Sequence, residues 1–263
     1  MQRHASKIFL MLCVTLYSTI HSGDFSIGAR MITEKNIWNQ QQLLLHTQFN
    51  SGEETLLFNG IARGLTKNTG VQLTLPVILR NKRNSRSDSG LGNIILLGQW
   101  QFYKQPSNLG VVFAGVIAPT RTTKRRTSNP SNVASYLFDA TTIHSSDCWY
   151  AQANGVFITT PKNKHFKPGN IFLYTLNAGP KINIRETSLF SLLALRGIHA
   201  NDDKLHGKRV ISGGDILLFG PQFGMKRKNI TLGGAFGWPV MQRLDKPLAR
   251  TEWFGAFLFQ VDF

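Results

Sequence analysis

Seven histidines, two cysteines and fourteen carboxylates are the side chains on which catalysis or metal binding would rest. His4 and His21 belong to the N-terminal stretch. His46 and His144 sit in segments of alternating polarity, and His165, His199 and His206 lie in or near loops. None is spaced as HxxxH, CxxC or HExxH, so no local metal motif exists and no metal ligand is assigned. Cys148 falls in a short turn and reads as an incidental thiol. His144 with Ser145 and Ser146 is the one group suited to hydrolysis, with imidazole as base and hydroxyl as nucleophile. Its expected place at the inner end of a membrane strand fits poorly with lipid hydrolysis in the outer leaflet. No G-x-S-x-G elbow occurs. Gly213-Gly214 opens no helical pattern, so it is not a phosphate loop. The sequence therefore assigns no catalytic residue and no cofactor.

Charge gives a second kind of chemistry. Lys+Arg number 30 against 14 Asp+Glu, for a formal net charge of +16. The basic residues crowd a few connections: Arg80, Lys82, Arg83 and Arg86; Arg121, Lys124, Arg125 and Arg126; Lys162, Lys164 and Lys167; Lys208 and Arg209. Such clusters make a solvated rim against lipopolysaccharide phosphates, or an electrostatic funnel for anionic solutes. The balance alone would also suit nucleic acid. No basic motif interleaved with aromatics supports that, and the N-terminus argues for export. Lys226, Arg227 and Lys228 fall in an expected inner turn, so the charge is not all on one side.

The elements that must position these residues begin with a targeting segment. Arg3, His4 and Lys7 precede an apolar run from Ile8 to Ile20, followed by Ser22 and Gly23. This is the n-region, h-region and cleavage zone of a signal peptide over residues 1–23. The run is too short to span a bilayer. Residues 24–263 then form one domain, because no low-complexity linker divides them. Cys148 would be its only thiol, which excludes an internal disulfide.

The rest of the chain has a period of two. Gly255, Phe257, Phe259, Val261 and Phe263 alternate with Glu252, Phe254, Ala256, Leu258, Gln260 and Asp262. Ile230, Leu232, Phe236, Trp238 and Val240 alternate with Asn229, Thr231 and Ala235, and Val71 to Leu79 repeats the pattern. One face meeting lipid and one mixed face is the mark of a barrel strand. The segment from Ser188 to Gly197 alternates poorly and leaves its register open. The periodicity predicts about twelve strands, near residues 37–50, 55–65, 70–79, 92–103, 109–119, 135–145, 149–160, 169–182, 186–198, 214–223, 229–240 and 252–263. Short connections alternate with longer ones, the pattern of inner turns and outer loops. Trp38, Trp100, Trp149, Trp238 and Trp253 suit interfacial girdles. The fold expected is an all-β, antiparallel transmembrane β-barrel in the bacterial outer membrane.

A polar-in register makes Gln42, His46, Gln72, Gln99, Gln101, Gln152, Asn154 and Gln260 the candidate solute path. Thr74 and Asn177 accompany them, and apolar Ile95, Leu97, Phe254 and Leu258 also point inward. No ring of carboxylates or arginines marks an ion-selective filter.

Several blocks resemble an outer-membrane barrel family named for the meta-pathway of phenol degradation. They are Gly64-Leu65-Thr66 leading to Leu75-Pro76-Val77; Ser89-Gly90-Leu91-Gly92-Asn93-Ile94; Val116-Ile117-Ala118-Pro119-Thr120; Gly220-Pro221-Gln222-Phe223; and Gly237-Trp238-Pro239-Val240. Asn93 stands where the family usually has Asp, and Arg121 where it has Gly. The resemblance implies a transport or channel role for small organic compounds and supplies no catalytic residues. The terminal aromatic Phe263 resembles the signal that such barrels present to their assembly machinery.

The reading is an outer-membrane channel for passive uptake of small organic molecules. Its partners would be outer-membrane lipids, lipopolysaccharide, the assembly machinery and the solute, with no nucleic acid. Arg121, Lys124, Arg125 and Arg126 would shape the mouth. Two alternatives stay open: a surface structural or adhesion barrel whose basic loops bind lipopolysaccharide or another polyanion, and a barrel hydrolase.

Overall fold

A computed structural model describes residues 35–83, 86–120, 133–163, 165–210, 213–244 and 250–263, with the side chains of Arg83 and Arg86 left out. The expected signal peptide and the Arg121–Arg126 cluster lie outside the described residues, as does Lys164.

The strands are β1 (Trp38–Phe49), β2 (Gly52–Gly64), β3 (Thr69–Arg83), β4 (Arg86–Leu91), β5 (Ile94–Lys104), β6 (Asn108–Ala118), β7 (Ser135–Ser145) and β8 (Trp149–Thr159). They continue with β9 (Phe166–Lys167), β10 (Ile171–Ile184), β11 (Thr187–Ala200), β12 (Asp203–Leu205), β13 (Lys208–Val210), β14 (Gly214–Arg227), β15 (Ile230–Leu244) and β16 (Thr251–Asp262). Every strand of the main sheet pairs antiparallel with its neighbours. β1 pairs with β16, and β2 with β3, so the sheet closes into a twelve-strand barrel. Among the described residues no helix is long and apolar enough to cross a membrane.

Closure is sealed at the ends of the first and last strands. The Trp38 amide donates to the Phe263 carbonyl at 2.9 Å, and the Phe263 amide returns a bond to the Trp38 carbonyl at 2.9 Å. A closed ladder leaves no edge to recruit another strand. It also pairs backbone groups that hydrocarbon could not satisfy.

The expected segments match the wall strands closely. The main differences are at the end carrying the longer connections. β3 and β15 run several residues further than expected there, and the expected loop after Arg80 is instead a hairpin extension in which β4 folds back on β3. β14 runs further at the opposite, short-turn end, so Lys226 and Arg227 lie in the strand and not in a turn. Charged and polar residues there pair as a solvated ladder, for which apolar alternation gives no signal. The connection after Ala200 also holds structure. β12 and β13 form a small hairpin that takes β9 as its third strand.

One irregularity follows directly from a residue type. Pro76 has no amide hydrogen and interrupts the ladder of β3. Opposite it, β4 ends at Leu91 and β5 starts at Ile94. The Gly92 amide donates to the Pro76 carbonyl at 2.7 Å, and a Cβ on Gly92 would stand 2.9 Å from the Pro76 ring. The partner strand changes from β4 to β5 here, where the proline offers no donor and the glycine fits against its ring.

Alternation divides the wall cleanly. Leu96, Trp100, Phe138, Leu176, Leu193, Phe223 and Phe257 project outward, each at least half exposed. Their immediate neighbours Leu97, Gln99, Leu137, Asp139, Asn177, Leu192, Gln222 and Leu258 are buried inside. Trp38, Trp100 and Trp149 lie towards the short-turn end of the outer face. Trp253, Phe236 and Trp238 make an aromatic cluster towards the other end, where the Trp253 and Phe236 ring centroids are 5.7 Å apart. Two aromatic zones bracketing an apolar band match the interfacial preference of tryptophan.

The outward assignment makes Leu96→Arg costly. A charge on the lipid face near the midplane is expected to remove about 2–4 kcal/mol of barrel stability. Guanidinium unfolding in phospholipid vesicles measures this, and an unchanged midpoint would contradict the register.

The inner wall as the candidate functional site

The interior has two chemically distinct sections. Towards the longer connections it is mainly apolar, with Thr47, the Glu54–Asn81 pair and the Ser135–Thr160 pair buried among the hydrocarbon side chains. Leu43, Leu45 and Phe49 from β1, Leu56 and Phe58 from β2, and Ile95 and Leu97 from β5 belong to one cluster. Val156, Ile158, Ile171, Leu173, Ile198, Ile216 and Leu218 continue it around the barrel, and Phe254 and Leu258 complete it. Towards the short turns most strands carry amides and hydroxyls, Gln72 and Thr74, Gln99 and Gln101, Gln152 and Asn154, Asn177, Gln222 and Gln260, while β6 keeps Val111 and Phe113 buried beside Gln101 and Gln99. Beyond this amide section, Tyr150, Phe190 and Leu192 pack in a small second cluster.

Two ionisable residues sit within the amide section. Asp139 is 3% exposed and Arg196 is 4% exposed. Asn154 Nδ2 donates to Asp139 Oδ1 at 2.6 Å and to Thr141 Oγ1 at 2.8 Å, and Thr141 Oγ1 donates to Asp139 Oδ1 at 3.1 Å. These bonds hold the carboxylate against the wall. Arg196 Nη2 reaches Gln222 Oε1 at 3.5 Å, and its guanidinium stands 5.0 Å from the centre of the Phe254 ring. A cation over a desolvated aromatic face is attracted by the ring quadrupole. Nearer the longer connections, Asn81 Nδ2 donates to the buried Glu54 Oε1 at 3.0 Å.

Of the expected solute-path residues, Gln72, Gln99, Gln101, Gln152, Asn154 and Gln260 are buried on the inner wall. Gln42 and His46 are not. Gln42 is exposed on the outer face between Asn59 and Phe259. His46 also faces outward, with its Nδ1 3.0 Å from Thr55 Oγ1 and its ring 5.0 Å from Trp253. The polar-in rule reversed β1 because the apolar set Leu43, Leu45 and Phe49 belongs to the apolar interior. Ile95, Leu97, Phe254 and Leu258 face inward as expected.

Asp139, Arg196, Gln222 and Gln41 were absent from the expected path. Asp139 had a usable signal, since it alternates in phase with Leu137 and Thr141. Arg196 did not, because β11 is apolar on both faces. There Phe190, Leu192 and Ala194 are buried while Leu189 and Leu193 are exposed.

The basic residues divide. Arg83 and Arg86 are backbone partners at the tip of the β3–β4 hairpin. Lys162 and Lys167 are exposed at the longer-connection end. Arg80 is held by Glu53 at 2.8 Å, and Arg209 by Asp202, so neither is an isolated charge.

The hydrolytic group does not assemble as a dyad. His144 Nδ1 is 2.9 Å from Asn108 Oδ1 across the strand pair. Ser145 Oγ instead accepts from Lys181 Nζ at 3.2 Å. Cys148 is an exposed free thiol. Among the described residues no three His, Cys, Asp or Glu side chains group as metal ligands.

The sequence pattern of the family described as "Putative MetA-pathway of phenol degradation" matches residues 19–243. The chain belongs to that family. Its fold is similar to an outer membrane channel from Pseudomonas putida F1, with a TM-score of 0.69 at 13% identity, over 88% of this chain and 97% of that one. It also resembles the β domain of the Bordetella autotransporter BrkA, with a TM-score of 0.50 at 9% identity, over 88% of this chain and all of that one. No curated protein sequence matches the chain. The family and the fold place the protein in the outer membrane.

The Asp139 network sets a stability expectation. Asn154→Leu removes the bond to the buried Asp139 carboxylate and the bond to Thr141, which itself donates to that carboxylate. A loss of about 1–3 kcal/mol is expected. Urea titration of the refolded barrel reads it, while Gln42→Leu on the lipid face should cost nothing measurable.

Proposed function

We propose that the protein is a passive outer-membrane channel for small, largely apolar organic molecules, with the longer connections facing outward. The carrying observation is the polarity order of the inner wall. A solute arriving from the longer-connection end passes the paired Glu54 and Asn81 and then meets Phe49, Leu56, Phe58 and Ile78 before it reaches the ring of glutamine and asparagine amides. Apolar surface binds such a solute by removing its surface from water, at about 25 cal/mol per Å². The amides then return hydrogen-bonding partners on the periplasmic side. The flow needs no cofactor and no chemical step. A catalytic role gains no support from His144 and Ser145, whose partners are Asn108 and Lys181. The membership of the MetA-pathway family and the likeness to an outer membrane channel agree with this reading.

A second reading rests on the basic rim. Arg80, Lys82, Lys162, Lys167, Lys204 and Lys208 gather at the longer-connection end, where the phosphates of lipopolysaccharide would lie. Lipid phosphate contact is compatible with a channel and orients the barrel.

Planar-bilayer recording of the purified protein tests the main reading. Discrete small conductance steps are expected. Leu97→Ala and Phe58→Ala, which shorten two buried inner side chains, are expected to raise the step size. A silent bilayer from protein shown to be folded, with both variants silent as well, would sink it.

A further inference from the structure

The amide section contains polar atoms that the wall itself leaves unsatisfied. Neither Nε2 nor Oε1 of Gln99 has a hydrogen-bond partner, and the side chain is within a residue that is only 4% exposed. Gln152 is also 4% exposed and Gln222 is fully buried, and Nε2 of each is unpartnered. A buried amide without a partner costs free energy that native walls seldom leave unrecovered. The other amide atoms show that partners were available to evolution. Gln152 Oε1 accepts from the Tyr150 hydroxyl at 2.9 Å, and Gln222 Oε1 faces Arg196. In both glutamines the oxygen is engaged and the donor is left over.

Their placement around the ring is regular. Gln99 is on β5, Gln152 on β8 and Gln222 on β14. In the ring order β5-β6-β7-β8-β10-β11-β14, each lies three strands from the next. Twelve strands make a full turn, so the three amides stand at successive quarter turns. Each is a few residues from the short-turn end of its strand. The Gln99 amide lies across Gly70, where a Cβ would stand 2.6 Å from Nε2. The small residue lets the amide lie along the wall.

We propose that Gln99, Gln152 and Gln222 form a hydrogen-bonding station in the lumen for the neutral, oxygen-bearing head of an otherwise apolar solute. The donors take a lone pair of a hydroxyl or carbonyl oxygen, and Gln99 Oε1 takes a hydroxyl proton. The apolar section holds the body of the same molecule. The station therefore favours compact alcohols over hydrocarbons of equal size. It rests on the channel reading and deepens it by naming the solute class.

The test uses full-length barrel purified from outer membranes into phospholipid nanodiscs, with isotope-labelled glutamine amides and leucine and isoleucine methyls. Benzyl alcohol and toluene are the probes. Gln99→Met, Gln152→Met and Gln222→Met assign the amide signals and keep side-chain length. Benzyl alcohol is expected to shift all three amide signals, and toluene only the inner methyls. Each substitution is expected to weaken benzyl alcohol binding about threefold to tenfold and leave toluene binding unchanged. Methyl shifts with both probes but unmoved amides would overturn the station alone. So would equal loss of both ligands in the variants, which a merely structural role would produce. If neither probe shifts any inner methyl or amide, the channel reading falls with it.

Discussion

A polypeptide in hydrocarbon must pair every backbone amide and carbonyl within itself. In this chain that constraint is met at one seam, between the first and last wall strands. Eleven residues of β1 are matched to β16, from Asn39 opposite Asp262 to Phe49 opposite Thr251. Once that register is set, the face of every side chain in the wall follows, because a slip by one residue would exchange inside for outside. The lipid band, the apolar section and the amide section are therefore consequences of one pairing. Where the ladder breaks, the break has a local chemical cause, as Pro76 and Gly92 show.

Inside the barrel the same constraint acts on side chains. Asp139 is held by Asn154 and Thr141 along one stretch of wall, and Arg196 by an amide oxygen and an aromatic face. Carrying an isolated charge past buried apolar surface costs far more than carrying a dipole. Apolar surface of this kind opposes an unpaired ion and accommodates a neutral organic group. The clustered basic residues other than Arg196 sit towards the ends of the strands, where water or lipid phosphate meets them. Exposed charge at the rim and the few held charges inside the wall, Glu54, Asp139 and Arg196, are separate devices.

The sequence carried the fold well because a barrel strand leaves its signature locally. Twelve alternating segments predicted the twelve wall strands with small errors at their ends. The site was less legible. Alternation says which residues share a face, and says nothing about which face is inside. For β5, with Gln99 and Gln101 opposite Trp100 and Phe102, polarity settles the choice. For β1 it misleads, because Leu43 and Leu45 serve an apolar interior while Gln42 and His46 stand outside. For β11 it is silent, because both faces are apolar. The polar-in rule assumes a water-filled lumen, and this lumen is apolar over half its length. Loop structure was hidden for another reason: the β12–β13 hairpin is built from Lys, Arg and Asp, whose pairing has no hydrophobic period.

That failure is itself informative about function. A water-filled pore would have kept β1 and β11 polar on the inner face, since water can satisfy amides anywhere along it. Here the inner face of β1 changes from Asn39 and Gln41 to Leu43 and Leu45 within a few residues. The opposite strands change at corresponding places: Asn154 to Val156 on β8, Asn177 to Leu173 on β10, Gln222 to Leu218 on β14. A boundary shared by strands that are distant in sequence cannot come from local propensity. It is a property of the interior as a whole, to which β6, with Val111 and Phe113 buried opposite Gln101 and Gln99, is the exception.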